Sequence, residues 1–188
     1  MLSGRTIMMK KVLILSGSPR KGGNSDTLCD EFLRGAFDAG NAVEKIRVAD
    51  KKIAPCTGCY FCKDHGGRCA FNDDMGEILQ KIIDCDVLVL SSPVYFYSIC
   101  AQLKTVIDRT VARWTEIANK DLYYIATAAE DEEETLDTTL ACFHGFAMCI
   151  DGYEEKGTLY GKGLYEKGDL ATRPELTTIA YEMGNSIR

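Results

Sequence analysis

Val12-Leu-Ile-Leu-Ser-Gly-Ser-Pro-Arg-Lys-Gly-Gly-Asn-Ser25 opens as a continuous apolar run and passes straight into a polar loop of small residues. The run predicts a buried strand over 11–17. Beyond the loop, Leu28, Phe32, Leu33, Ala36 and Phe37 recur at helical spacing and predict a helix over 25–39. Asn24 or Ser25 is suited to cap its start and Gly40 to end it. A strand, a short polar loop and a helix N-terminus together make an anion-binding device, because the helix presents unpaired N–H groups and the positive end of its dipole. Gly17, Gly22 and Gly23 would let the backbone approach a ligand closely. Ser18, Asn24, Ser25 and Thr27 offer neutral donors and Arg20 a guanidinium fork. The set suits a terminal phosphate held without a metal; the plain alternative is an ordinary strand-to-helix turn. Neither Gly-x-x-x-x-Gly-Lys-Ser/Thr nor Gly-x-Gly-x-x-Gly occurs here, which points to a mononucleotide rather than a Walker or dinucleotide site.

Working outward, the pattern predicts strands at 43–48, 86–91, 122–128 and 145–150. Helices are predicted at 74–84, 99–113 and 132–143, with a last one from Pro174 to about 187. In the first of these, Met75, Ile78, Leu79 and Ile82 face inward. Leu103, Val106, Ile107 and Ala101 give the second its apolar face, and Glu132-Glu133-Glu134 opens the third. Pro93 is read as blocking extension of the third strand, and 50–73 and 151–171 as loops. Strands alternating with helices give an α/β fold, a doubly wound five-stranded parallel sheet in a single domain. The loops 17–25, 91–98 and 127–131 then meet at one sheet edge, where such folds bind ligands.

The second of those loops, Ser91-Ser-Pro-Val-Tyr-Phe-Tyr-Ser98, carries three aromatics where solvent is expected. A planar ligand would explain them by stacking; covering the core or a subunit interface would explain them equally. Beside a phosphate loop on the same edge, a flat mononucleotide is favoured, and FMN fits best. The only histidines are His65 and His144, and neither is placed for Ser/His/Asp hydrolysis. Asp73 and Asp74 read as the start of the second helix.

The totals narrow the function. The chain has 188 residues, net charge −6 and pI about 5.0, which disfavours nonspecific nucleic-acid binding. It has no 18-residue apolar run, so no membrane span is expected, and Met1 to Met9 lacks the marks of a secretory signal. A cytoplasmic protein is expected. Of nine cysteines, Cys29, Cys85, Cys100, Cys142 and Cys149 read as buried small hydrophobes. The others form Cys56-x2-Cys59-x2-Cys62-x6-Cys69. In outline this spacing matches an iron–sulfur ligand set. A zinc site and unmetallated thiols stay open as alternatives, although the paired Cys-x2-Cys arrangement usual for zinc is absent.

Nearly the whole chain resembles the NADPH-dependent FMN reductase and iron–sulfur flavoprotein group. Gly17 to Ser25, Cys56 to Cys62 with Cys69, Asp73-Asp-Met75, Ser92-Pro-Val-Tyr95, Leu103 to Arg109 and Gly157 to Gly168 carry the resemblance. It implies a flavodoxin-like FMN-binding domain over 1–188 with a cysteine-rich loop at 55–72. It implies Ser18, Arg20, Asn24 and Ser25 as phosphate contacts, and Pro93, Val94, Tyr95, Phe96 and Tyr97 along the flavin ring. Thr127-Ala-Ala-Glu130 would touch the ring's other side; many relatives carry a glycine here, and this chain does not. The resemblance further implies a 4Fe-4S cluster on Cys56, Cys59, Cys62 and Cys69, NADPH or NADH as substrate, and a homodimer or tetramer. The expected activity is reduction of a quinone, a flavin or another small acceptor. An electron-transfer module served by a ferredoxin-like partner, and a noncatalytic nucleotide-binding protein, are the competing classes.

Overall fold

The computed structural model describes residues 9–132 and 134–188. Met1 to Met8 of the N-terminal stretch, and Glu133 of the acidic helix start, lie outside the described residues. Five strands, β1 (Lys11–Ser16), β2 (Ala42–Arg47), β3 (Val87–Tyr95), β5 (Asp121–Thr127) and β6 (Glu154–Gly161), form a parallel sheet. The short β4 (Ser98–Ile99) pairs antiparallel with the end of β3. The order β2-β1-β3-β5-β6 is that of a flavodoxin-like sheet. The helices are α1 (Asn24–Asp38), the four-residue α2 (Phe61–Asp64), α3 (Met75–Asp84), α4 (Ala101–Arg109), α5 (Glu134–Ala147) and α6 (Pro174–Asn185).

Strand alternation divides the core in two. Val12 and Ile14 of β1 pack with Leu28, Phe32 and Ala36 of α1 and Ala180 of α6 on one face. Leu13 and Leu15 pack with Ile78, Ile82, Leu103 and Phe143 of α3, α4 and α5 on the other. Both faces are therefore covered, as apolar strand runs demand. Among the described residues no helix is long and apolar enough to cross a membrane.

Four expectations change. The run 145–150 is not a strand: α5 continues to Ala147, because Phe143, Phe146 and Ala147 are buried at helical spacing. The fifth main strand is β6, an edge strand with its first three residues exposed, which is why its sequence reads as a loop. Pro93 does not stop β3, which runs on to Tyr95. The Ser91 carbonyl accepts from the Gly17 N–H, so by strand alternation the backbone edge of Pro93, two residues on, falls on the β1 side of β3. The β1–β3 register ends at Ser16 and Ser91, so the missing Pro93 N–H has no ladder position to vacate. Finally, α4 is shorter than expected and gives way to tight turns at Thr110–Ala112 and Trp114–Glu116, and Ala101 is exposed.

The cysteines also separate. Cys29, Cys85 and Cys100 are buried, and burial pushes the Cys29 and Cys85 thiols up to about 12, as inert core residues. Cys142 is half-buried and Cys149 exposed, against expectation.

Candidate functional site

The loop after β1 is built around α1's open end. Gly23, not Asn24 or Ser25, is the N-cap, in extended conformation and with no side chain capping the helix. The first intrahelical bond runs from the Thr27 N–H to the Gly23 carbonyl at 2.9 Å. The N–H groups of Asn24, Ser25 and Asp26 therefore have no place in the helix ladder. Gly22 sits in the left-handed region at φ +63° and its N–H donates to Asp26 Oδ2 at 2.8 Å. Gly17 also has a packing role. A methyl group there would lie 2.8 Å from both Cys100 Sγ and the Ser91 carbonyl, so this glycine lets the loop pack onto β3 and α4.

A cavity of about 130 Å³ opens over this loop. Ser18, Arg20, Asn24 and Ser25 form one wall, and Pro93, Val94 and Tyr95 another. Thr127 and Ala129 close a third side. The three loops do converge. Phe96 and Tyr97 do not line the cavity; they form the two-residue tip of the β3–β4 hairpin, with φ of 50° and 57°. Positive φ at both central positions is the twist that tight hairpins require, here adopted by bulky residues at a cost in strain. Phe96 is fully exposed at its tip.

A fourth wall was not foreseen. Leu164, Tyr165 and Lys167 close the cavity from the segment after β6. Arg20 donates to the Tyr165 carbonyl and Asn24 Nδ2 to the Glu166 carbonyl, both at 2.9 Å. The Ala128 and Glu130 carbonyls accept from the Leu164 and Gly163 N–H groups. The segment Gly157 to Gly168 carried part of the family resemblance but no assigned role, and its Lys167 brings a second positive charge to the Arg20 side.

The donor set fits a phosphate ester: helix-end N–H groups, the Ser18 hydroxyl and two cations. Asn24 Oδ1 is buried with no protein donor among the described residues. A ligand hydroxyl would satisfy it. Beneath, Asp26 accepts from Ser16 Oγ at 2.8 Å and pairs with Arg47 at 2.6 Å and Lys45 at 3.1 Å. Burial works against its charge, but the Gly22 N–H, Ser16 and Lys45 overcome this and hold the carboxyl below its usual range. Its negative charge is thus spent on these partners rather than opposed to an anion above.

The cysteine-rich segment is a separate feature. Cys56 and Cys59 are exposed, Cys62 and Cys69 half-buried. The Phe61 N–H and the Thr57 hydroxyl hold the Cys59 thiol below its usual range. Among the described residues no three metal-ligating side chains stand close enough to share an ion. The four free thiols nonetheless have the soft-ligand chemistry an iron–sulfur centre needs. Asp73 is not a simple helix cap: it holds buried Arg109 by two bonds, at 2.8 and 3.0 Å. Burial opposes the Arg109 charge, and Asp73 more than restores it. Of the histidines, His65 stacks on Phe61 and His144 lies 3.7 Å from Glu155; neither reaches the cavity over the β1 loop.

The model of the NADPH-dependent FMN reductase family matches residues 10–149. An iron–sulfur flavoprotein of Methanocaldococcus jannaschii is 36% identical over 157 residues, 80% of each chain. An iron–sulfur flavoprotein of Archaeoglobus fulgidus is 45% identical over 101 residues, which is 54% of this chain and 45% of that one. The solved NAD(P)H:quinone oxidoreductase from Methanothermobacter marburgensis superposes with a TM-score of 0.70 at 19% identity, covering 96% of this chain and all of that one. At that identity the likeness concerns the fold.

Proposed function

The chain belongs to the NADPH-dependent FMN reductase family and is an oxidoreductase, and from that premise we propose that the cavity over the β1 loop holds FMN and that electrons pass from NAD(P)H to a small acceptor such as a quinone or a free flavin. The observation that carries this reading is the joining of an uncapped helix end, two cations and the buried, unpaired Asn24 Oδ1 in one cavity. Bound there, FMN would supply hydride acceptance and onward electron transfer. The chain's own residues supply binding and placement. Ser18, Ser25 and the N–H groups at the start of α1 would hold the phosphate, with Arg20 and Lys167 balancing its charge. Asn24 would accept from the sugar-alcohol chain. Pro93, Val94, Tyr95 and Thr127 would wall the ring, and the Phe96–Tyr97 tip would stand outside it. Mixed anaerobically with NADPH or NADH, the purified yellow protein is expected to bleach in stopped-flow absorbance, faster with NADPH. Absence of bleaching with both would contradict the activity and favour an electron-transfer module.

A second reading adds an iron–sulfur centre on Cys56, Cys59, Cys62 and Cys69. The four-thiol loop and the names of the two relatives favour it. The thiols must draw together from the positions described above, and the loop has the turns for this: Gly58, Gly66, Gly67 and Tyr60 all take positive φ. With or without that centre, we propose one domain over 1–188 that works in the cytoplasm and assembles as a homodimer or tetramer, with the exposed Tyr95, Phe96 or Tyr97 near the interface. Light scattering should return twice or four times the 20.8 kDa chain mass. A monomer would contradict the assembly and leave the FMN site standing.

A further inference from the structure

The cysteine loop is closed at its neck by bonds that the FMN cavity does not use. The Lys52 N–H donates to Asp74 Oδ2 at 2.7 Å, and the Asp74 N–H returns to the Lys52 carbonyl at 3.1 Å. The Ala54 N–H donates to Asp73 Oδ2 at 3.0 Å. Arg109, projecting from the end of α4, completes the neck. It donates to the Ala54 carbonyl at 2.6 Å and to both Asp73 oxygens. Its guanidinium also lies over the Phe71 ring, 5.1 Å from the centroid. Arg109 is only 2% exposed, the largest of the fully buried side chains, and its Nε has no protein acceptor among the described residues. Beside the second half of the loop is a cavity of about 730 Å³, with Phe71, Arg109 and, of the four thiols, Cys69 in its wall. One buried cation thus grips residue 54 on one side of the four thiols and residues 71 and 73 on the other.

We propose that Arg109 is the positioning residue of the cysteine loop: by fastening Ala54 to Asp73 it fixes the loop's ends, so that the four thiols close on one metal centre beside the cavity. The proposal rests on the iron–sulfur reading above. Its physical basis is loop closure. A segment whose ends are already joined loses less conformational freedom when its interior gathers on a ligand than one whose ends are free. The unpaired Nε adds a positive donor beside the cavity, where a thiolate-bound centre would bring negative charge. Lysine cannot reproduce the hold, since it keeps the charge but has no planar fork to span Asp73 and Ala54 together.

The test compares the full-length wild type with Arg109→Lys, both purified with FMN and reconstituted anaerobically with ferrous iron and sulfide. The expected result is unchanged FMN per chain, with iron retention in the variant lowered about tenfold or more against a chelator, the scale of losing an outer-shell partner. The Mössbauer spectrum of the variant should lose the single-cluster signature seen in the wild type. Equal retention and identical spectra would overturn the proposal. Limited trypsin digestion of the metal-free proteins at Lys63 and Arg68 separates the neck from the metal. Several-fold faster cutting in Arg109→Lys supports the clasp even if the wild type itself takes up no cluster, a result that would defeat the iron–sulfur reading alone. Equal cutting rates would overturn the clasp whatever the metal content.

Discussion

Asp26→Ala is expected to lower stability by about 3 kcal/mol and to loosen the phosphate loop in the same step. The Asp26 carboxylate is 3% exposed, and its partners Lys45 and Arg47 are 13% and 11% exposed. Removing one member of a buried ion pair usually costs about 3–5 kcal/mol, because the charge left behind is neither paired nor solvated. The lower end applies here, since Lys45 keeps Asp30 and Arg47 keeps Asp50. The same substitution frees the Gly22 N–H and the Ser16 hydroxyl, which now anchor the loop from below. Chemical denaturation should show the loss of stability, and FMN titration a weaker complex. A variant with wild-type stability would mean that Lys45 and Arg47 reach water without Asp26.

The pH dependence has a definite sign. The Asp26 and Asp73 carboxyls lie below their ordinary value of 3.8 in the folded protein. Each therefore contributes stability that is complete above the unfolded value and lost as pH falls through the folded one. Acid unfolding below about pH 4 should be shallower in Asp26→Ala than in the wild type.

Gly184→Ala is the second large effect, and it runs against helix propensity. In an exposed helix interior alanine is favoured over glycine by about 0.5–1 kcal/mol. Here α6 crosses α1 backbone to backbone. A methyl group on Gly184 would fall on the Phe32 carbonyl oxygen and lie 2.8 Å from the Ala36 N–H nitrogen. Gly35 meets the Tyr181 carbonyl in the same way from the other helix. Neither obstacle is a flexible side chain, so the helices must move apart along a contact that seals one face of the sheet. A cost of about 3 kcal/mol or more is expected, read as a fall in melting temperature of roughly 6–12 °C for a chain of this size. A rise in melting temperature would show that the helices separate freely.

These two sites show what sequence reading reaches. The strand, loop and helix from Val12 to Phe37 were legible, because a buried strand and an amphipathic helix each leave a period in the sequence. The meeting of Ser18, Pro93 and Thr127 followed from topology, since parallel strands send these loops to one edge. Lys167 and Tyr165 were not legible as cavity residues, because they lie on a loop after an edge strand whose polar face hid the strand itself. Asp73 resembled a helix cap, while its partner Arg109 lies 36 positions away and only the fold brings them together. Gly35 and Gly184 carried no local mark of a close helix crossing, since a helical glycine is read in isolation as a weak spot.

The central claim, that the loop from Gly17 to Ser25 anchors the FMN phosphate, is tested most directly by titrating flavin-free protein with FMN and with riboflavin under the same conditions. Riboflavin has the same ring and sugar-alcohol chain but no phosphate. The phosphate site would form at least two charge-assisted hydrogen bonds, each contributing about 1.5–3 kcal/mol. FMN should therefore bind about 100-fold more tightly or better. Equal affinity for the two flavins would contradict the phosphate anchor and with it the site assigned to this loop.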